Sequence, residues 1–347
     1  MKNLGVILAV LFLVGLSILF SAAALQLNLL GLGGVADTGE EETTVGEPSP
    51  GEGQTPPVIT EEPQIRECSE VRIIFAIGQG AGAEIYSMNP DGSDLIRLTY
   101  NQVEDIYPVP SPDGTKIAYT STTPDGLWDI FVMNPDGSEI TRLTTHPRQD
   151  ANVTWSFDGR FIFFQSDREG HWETYRMNSD GQDVQRLTFT ARGDSWHVAA
   201  HPFKEEIVFE SGPVGGEDLY IIDFAGGNLR RIANDGSRKR LPAISPDGKK
   251  IVYVGYVGGG GRQHQEIFIM DYDGSNIVQL THNPGVMDSH PALSPDGKYI
   301  VYAAGVRDSV DIMIMNIDGT DNRQLTFSPQ QKVWQWDPAF LCQPQEP

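Results

Sequence analysis

A glycine turn recurs at Asp91-Gly92, Asp136-Gly137, Asp180-Gly181, Gly226-Gly227, Asp273-Gly274 and Asp318-Gly319, with spacings of 45, 44, 46, 47 and 45 residues. A chain written to such a rhythm is an array of one supersecondary unit, and a period of roughly 40–50 residues is that of a propeller blade. The stretch 129–166 contains the unit's parts: apolar runs, Asp-Gly turns and a Leu-Thr ending. Cut into four strands, a to d, the unit places strand a at Ala151–Phe157 and strand b at Arg160–Ser166. Strand c is then His171–Asn178, and strand d ends at Leu187-Thr188. Asp-Gly between apolar runs predicts type I′ hairpins, with positive φ at both central residues.

Strand b reads Ile73-Ile74-Phe75-Ala76, Ile251-Val252-Tyr253-Val254 and Ile300-Val301-Tyr302-Ala303, with little polar alternation. Near-continuous apolar text predicts burial on both faces, as in sheets sandwiched by their neighbours around a ring. The first unit lacks a strand a, and the last text, Trp334–Phe340, is a strand a without b, c and d. Joining the termini predicts an all-β, six-bladed propeller of four-stranded antiparallel blades, closed by a one-plus-three clasp. Cys68 and Cys342 flank the missing a–b turn, so a disulfide between them is expected in an oxidising compartment.

Residues 67–347 form this propeller. Residues 1–35 carry Lys2 and a long uncharged apolar run, which predicts a transmembrane signal-anchor, with a cleaved signal peptide as the alternative. Residues 36–66 are acidic and rich in Pro and Gly, a composition for a solvated linker. The charge bias places the propeller on the extracytoplasmic side, in the single-pass cell membrane or secreted after cleavage.

The copies DIFVMNPDGSEITRLT at Asp129, EIFIMDYDGSNIVQLT at Glu266 and HPALSPDGKYIVYA at His290 resemble the TolB-type, WD-repeat-like β-propeller repeat. The third unit departs at His201-Pro202-Phe203-Lys204, the fourth at Phe224-Ala225-Gly226-Gly227 and Ile232-Ala233. The resemblance implies a ring with strand a innermost, lining a central channel. It implies little about activity, since such propellers are interaction platforms, accessory domains of serine peptidases, or bodies of polysaccharide lyases.

A net charge of -22 argues against nucleic acid as a partner. No G-x-S-x-G elbow is present, and the seven residues after Phe340 leave no room for a hydrolase domain. The glycine run 258–261 reads as a loop, since it matches neither nucleotide-binding glycine motif. The sequon at Asn152 falls on an inner strand and is discounted. With strand a innermost, Tyr107, Asn152, His197, Leu241, His290 and Asp337 occupy one position around the channel. Trp196, Trp334 and Trp336 lie nearby. A ligand-binding mouth is expected from Tyr107, Asn152, Trp196, His197, His290, Asp337 and Trp334. His197, His290, Asp194 and Asp288 are candidates for a divalent cation. The recurrent Asp105, Asp150 and Asp288 read instead as turn residues accepting backbone N–H groups. The leading expectation is a non-catalytic scaffold binding a protein or peptide at a rim, tethered to the membrane by its N-terminal helix and needing no cofactor. The alternative is a metal-dependent polysaccharide lyase or saccharide-binding propeller using the channel mouth.

Overall fold

The computed structural model describes residues 68–78, 82–190, 194–232, 235–258, 264–306, 309–327 and 333–343. The expected anchor (1–35), the linker (36–66) and residues 259–261 of the glycine run lie outside the described residues. The described chain begins with β1 (Glu70–Gly78), β2 (Ala83–Met88) and β3 (Ile96–Arg97). Next, β4 (Asp105–Pro110), β5 (Ile117–Thr122), β6 (Trp128–Met133) and β7 (Thr141–Arg142) form a four-stranded antiparallel sheet. A second contains β8 (Asp150–Trp155), β9 (Phe161–Ser166), β10 (Glu173–Asn178) and β11 (Gln185–Arg186). A third contains β12 (Asp194–Ala200), β13 (Glu206–Gly212), β14 (Asp218–Asp223) and β15 (Arg230–Arg231). The fourth is β16 (Lys239–Ile244), β17 (Lys250–Val257), β18 (His264–Asp271) and β19 (Val278–Gln279).

The last strands are β20 (Met287–Leu293), β21 (Tyr299–Val306), β22 (Ser309–Asn316), β23 (Arg323–Gln324) and β24 (Val333–Gln343). β20 to β23 and the set β24-β1-β2-β3 are two four-strand groups within one eight-stranded sheet. They are joined by a short parallel contact, Ser309 to Val333 and Val310 to Trp334. β24 runs antiparallel to β1 from Glu70 opposite Gln343 to Gly78 opposite Trp334. Cys68 and Cys342 form the expected disulfide beside this ladder, with Cα atoms 5.3 Å apart.

The apolar runs explain the packing. Ile162 and Phe164 of β9 face a core shared with Ala118 and Ile130, whereas Phe163 faces another shared with Phe209 and Ile222. The period of two along a strand thus feeds two cores, and all three side chains are fully buried. Each such side chain contributes on the order of 1.5–3 kcal/mol relative to exposure. Shared clusters likewise join the other neighbouring groups, including Phe75 and Phe340 with Val301 and Ile312. β4, β8, β12, β16 and β20 each approach the next inner strand, and β24 approaches β4. The architecture is a propeller of four-stranded antiparallel blades with strand a innermost.

The turns correct one expectation. Positive φ falls on the Gly of each Asp-Gly pair, as at Gly159 (φ 71), while its Asp is not left-handed. The hairpin is longer than a two-residue type I′ turn: Gly159 N–H donates to Ser156 O at 3.0 Å and Ser156 N–H to Phe161 O at 2.8 Å. This is a type I turn with Gly at its fourth position, so only the Gly must be left-handed. The Asp158 carboxylate accepts from the Ser156 hydroxyl (2.7 Å) and Arg160 N–H (3.1 Å), fixing the loop. The same closure ends β8 at Trp155 instead of Phe157 and starts β9 at Phe161.

The Leu-Thr ending also has a structural role. Thr99 Oγ1 accepts from Ile85 N–H at 3.0 Å and donates to Glu84 at 2.7 Å, locking β2 to the chain after β3. The Thr-to-acid bond recurs between Thr144 and Asp129 and between Thr281 and Glu266. In the unit that ends Ile232-Ala233, Asp218 instead lies beside Arg231 and the fully buried Lys239.

Candidate functional site

Tyr107, Asn152, His197, Leu241, His290 and Asp337 all have positive φ, from 36° to 57°. Each lies at a register shift between an inner strand and its neighbour, as between Ile106 and Val109 or Trp196 and Val198. A bulge bends the strand and turns one residue out of the ladder, here at the same level of every inner strand. Its backbone N–H then needs a new acceptor. Asn152 N–H donates to Thr120 Oγ1 at 3.2 Å, Leu241 N–H to Glu210 Oε2 at 3.0 Å, and Tyr107 N–H to Asp337 Oδ2 at 3.3 Å. In each case the acceptor belongs to the preceding blade.

The geometry gathers part of the expected set. Tyr107, His197 and His290 meet with ring centroids 6.1–6.3 Å apart. Asp337 Oδ1 lies 3.1 Å from His290 Nε2. Asn152 occupies the equivalent bulge on β8. Trp196 sits 6.4 Å from His197 and lies against Trp172 at 4.7 Å with the rings tilted by 36°, whereas Trp334 pairs with Trp336 at 6.1 Å.

Two titratable pairs occupy this centre. Glu210 is fully buried; its Oε2 is 3.0 Å from His197 Nδ1, and its Oε1 accepts from Arg240 Nε at 2.9 Å. Burial pushes the Glu210 carboxyl up, but His197 and Arg240 outweigh it and hold the group at about 2. In the second pair, burial drives both partners toward their neutral forms. It lowers His290 to about 3, with His197 and Arg240 adding to the effect, and raises Asp337 well above the usual carboxylate range. Burial thus favours the uncharged form of each group, with Asp337 Oδ1 3.1 Å from His290 Nε2.

The metal candidates do not converge. Asp194 accepts from Trp172 N–H at 3.1 Å, and Asp288 takes Asn283 Nδ2 at 3.2 Å. Neither bonds to His197 or His290, whose carboxylate neighbours are Glu210 and Asp337. No group of three or more His, Cys, Asp or Glu placed to hold a metal occurs among the described residues. The repeated Asp residues serve the blades, though mostly through side-chain donors instead of the expected backbone N–H groups. Asp105 accepts from Ser121 (2.5 Å) and Asn101 (2.7 Å), and Asp150 takes Arg168 through both oxygens.

Glu210 and Gln165 were not picked out from sequence. Both occupy the fourth position of the strand-b run, where the other copies read Ala76, Thr120, Val254 and Ala303. A carboxylate inside an apolar strand predicts a buried cation beside it, and that was the available signal. Among the described residues, both ends of the Gln165 amide, Asn152 Oδ1 and His290 Nδ1 are buried with no hydrogen-bond partner.

The model of the TolB beta propeller domain matches residues 122–202 and 193–340. A curated TolB homolog from Chlorobium chlorochromatii (strain CaD3) is 37% identical over 57 residues, covering 16% of this chain and 13% of the relative. The crystal structure of TolB from Acinetobacter baumannii matches with a TM-score of 0.67 and 24% identity, covering 78% of this chain and 66% of that one. A crystal structure of a nidogen/laminin complex matches with a TM-score of 0.63 and 11% identity, covering 79% of this chain and 100% of that one. The chain thus spans less than two thirds of the length of either TolB relative, and at these identities the structural likeness carries the fold alone.

Proposed function

The chain belongs to the TolB beta propeller domain family, and on that footing we propose that it is a six-bladed, extracytoplasmic, non-catalytic scaffold that binds a protein or peptide at one rim. Residues 67–347 form the scaffold, and residues 1–66 anchor it to the membrane through a helix and a linker. The Cys68–Cys342 disulfide supports an oxidising compartment.

One observation carries the binding role. Five of the six tryptophans, Trp128, Trp172, Trp196, Trp334 and Trp336, stand at the end of the blades where the inner strands begin, and all are partly exposed. Partly exposed indoles grouped on one face are the anchors that protein interfaces favour. The test is photo-crosslinking of the full chain in cells with a reactive amino acid at Trp196 or Trp334, compared with the outer edge at Ile140. Adducts of one defined mass from the rim positions alone are expected. Equal labelling at Ile140 would remove the reading.

A second reading rests on the unpartnered atoms of Asn152, Gln165 and His290. They offer both donors and acceptors, which suits a saccharide hydroxyl array in the channel. Calorimetry with neutral and uronate oligosaccharides tests it, with metal analysis of His197→Ala plus His290→Ala testing the lyase form. Oligosaccharide heats that do not change in that double variant would exclude this site.

A further inference from the structure

Two places before the closing Thr or Ala of each unit stand, in chain order, Arg97, Arg142, Arg186, Arg231, Gln279 and Gln324. The first three arginines each make two contacts. Nε donates to the carbonyl of the closing Thr, at 2.6 Å from Arg97, 2.8 Å from Arg142 and 2.7 Å from Arg186. A terminal nitrogen pairs with the acid near the start of the blade's third strand, Glu84, Asp129 or Glu173. Arg231 pairs with Asp218 in the same way. Gln279 keeps the first contact, Nε2 donating to Thr281 O at 2.7 Å, but its side chain ends there. Among the described residues, Glu266 therefore has no guanidinium beside it.

Across each seam between blades, that acid meets the start of the next inner strand. The residues there are Asp105, Asp150, Ser195, Lys239, Asp288 and Gln335. Where two carboxyls meet, arginine neutralises them: Arg97 serves Glu84 and Asp105, while Arg142 and Arg168 serve Asp129 and Asp150. Asp311 meets the Gln335 amide instead. Glu266 and Asp288 are both fully buried, and the ion partner on their seam is His264, whose Nε2 lies 3.1 Å from Glu266 Oε1. Asp288 Oδ2 accepts from Asn283 Nδ2, while its Oδ1 is buried with no hydrogen-bond partner. Two ionised carboxyls in one dry seam repel, so a proton takes the place of the missing guanidinium. Burial and the charge of Glu266 accordingly raise Asp288 to about 6.

The titratable groups that face Asp288 are Glu266 of β18, with His264 behind it, and Tyr302 of β21, which burial keeps neutral. The chain after β19 adds the uncharged Thr281 and Asn283. Arg240 of β16, Tyr256 of β17 and Asp337 of β24 are engaged elsewhere, with Glu210, Gln265 and His290. A guanidinium stays charged at any working pH, whereas a carboxyl pair and an imidazole change charge with it.

We propose that the seam between β18 and β20 is a pH-operated joint in the ring, closed while Asp288 carries a proton and loosened when it does not. The joint lies at the end of the blades where the inner strands begin, the end that carries the tryptophans. Opening frees Asp288 to ionise at its ordinary 3.8, so the seam is firmest below about pH 4, weakens up to about pH 6 and changes little above that.

The test follows amide hydrogen exchange of the full chain between pH 4 and 8, as protection factors corrected for the intrinsic rate. The reporter is Leu280 N–H, which donates to Ile267 O beside Glu266 at 2.8 Å; the control is Leu187 N–H, which donates to Thr174 O at 2.9 Å beside Arg186. Leu280 protection is expected to fall on the order of 100-fold from pH 4 to 7 and to level off above, and Leu187 should not follow. Gln279→Arg restores the guanidinium and Asp288→Asn removes the titrating group; either should cut the fall to under about threefold. Arg97→Gln makes the converse change beside Glu84 and Asp105, and should enlarge the fall at Leu98 by at least about tenfold. Equal Leu280 protection at pH 4 and 7, an equal fall at Leu187, or a fall that survives both substitutions overturns the proposal. So does a Leu98 profile unchanged by Arg97→Gln.

Discussion

Glu210 offers the most direct test of how the centre of the ring is held. Its carboxylate spans β13 and β16, meeting His197, Arg240 and the Leu241 N–H, and water does not reach it. In the folded chain it titrates at about 2 instead of 4.5. A depressed carboxyl contributes stability that is fully present above pH 4.5 and is lost as pH falls through 2. The shift corresponds to about 3 kcal/mol at neutral pH. Glu210→Gln keeps the shape and removes the charge, leaving Arg240 without its counterion, a loss of about 3–5 kcal/mol. Urea unfolding at pH 7, 5 and 3 measures both effects. At pH 7 the variant should be less stable by about 3 kcal/mol or more, and its deficit should shrink below pH 4.5, where the unfolded wild type takes up a proton that the folded chain binds only near pH 2. A deficit under about 0.5 kcal/mol, or one independent of pH, would refute the electrostatic account. A double-mutant cycle with His197→Ala would assign the pairwise share.

Replacing both Cys68 and Cys342 by Ser should cost on the order of 5 kcal/mol by the chain-entropy relation for a separation of 274 residues. Urea midpoints unchanged by the substitution or by reductant would contradict it. Gly114→Ala places a Cβ against the Cys342 carbonyl at φ +72, whereas Gly126→Ala at φ +80 meets nothing within 4 Å. The second should cost about 1–2 kcal/mol and the first clearly more, read from thermal unfolding. Burial raises Asp288 to about 6, so its ionisation disfavours the fold above that pH. Asp288→Asn should therefore stabilise at pH 8 by up to about 3 kcal/mol and show little gain at pH 4; a gain that grows toward acid pH would be the wrong sign.

The period, the Leu-Thr endings and the cysteine positions made the blades and the clasp legible, because they are repeated or placed at the ends of a repeat. His197, His290, Tyr107 and Asp337 were legible for the opposite reason: the repeat does not dictate them. Alignment gave their common level but not their left-handed backbone. Nothing in Leu241 or His290 as a residue type announces a bulge, which arises because the inner strand must bend to line the channel. Aspartates at the strand starts were misread as backbone acceptors because their partners Ser121, Asn101 and Arg168 lie across strands, beyond local pattern. The seam between β18 and β20 was missed altogether. Gln279 read as an equivalent of Arg before the Leu-Thr ending, and only blade packing sets Glu266 against Asp288.

The clasp also sets a schedule. β1 is made early, but its inner partner β24 ends at Gln343, 265 residues after Gly78 by subtraction (343 − 78). At a synthesis rate of about 5–20 residues per second, one edge of the first blade stays open for roughly 10–50 s while every later blade can complete itself from its own hairpins. The last strand made therefore decides whether the first one is rescued, and truncation anywhere before Val333 should leave an open β1 edge prone to pairing with other chains.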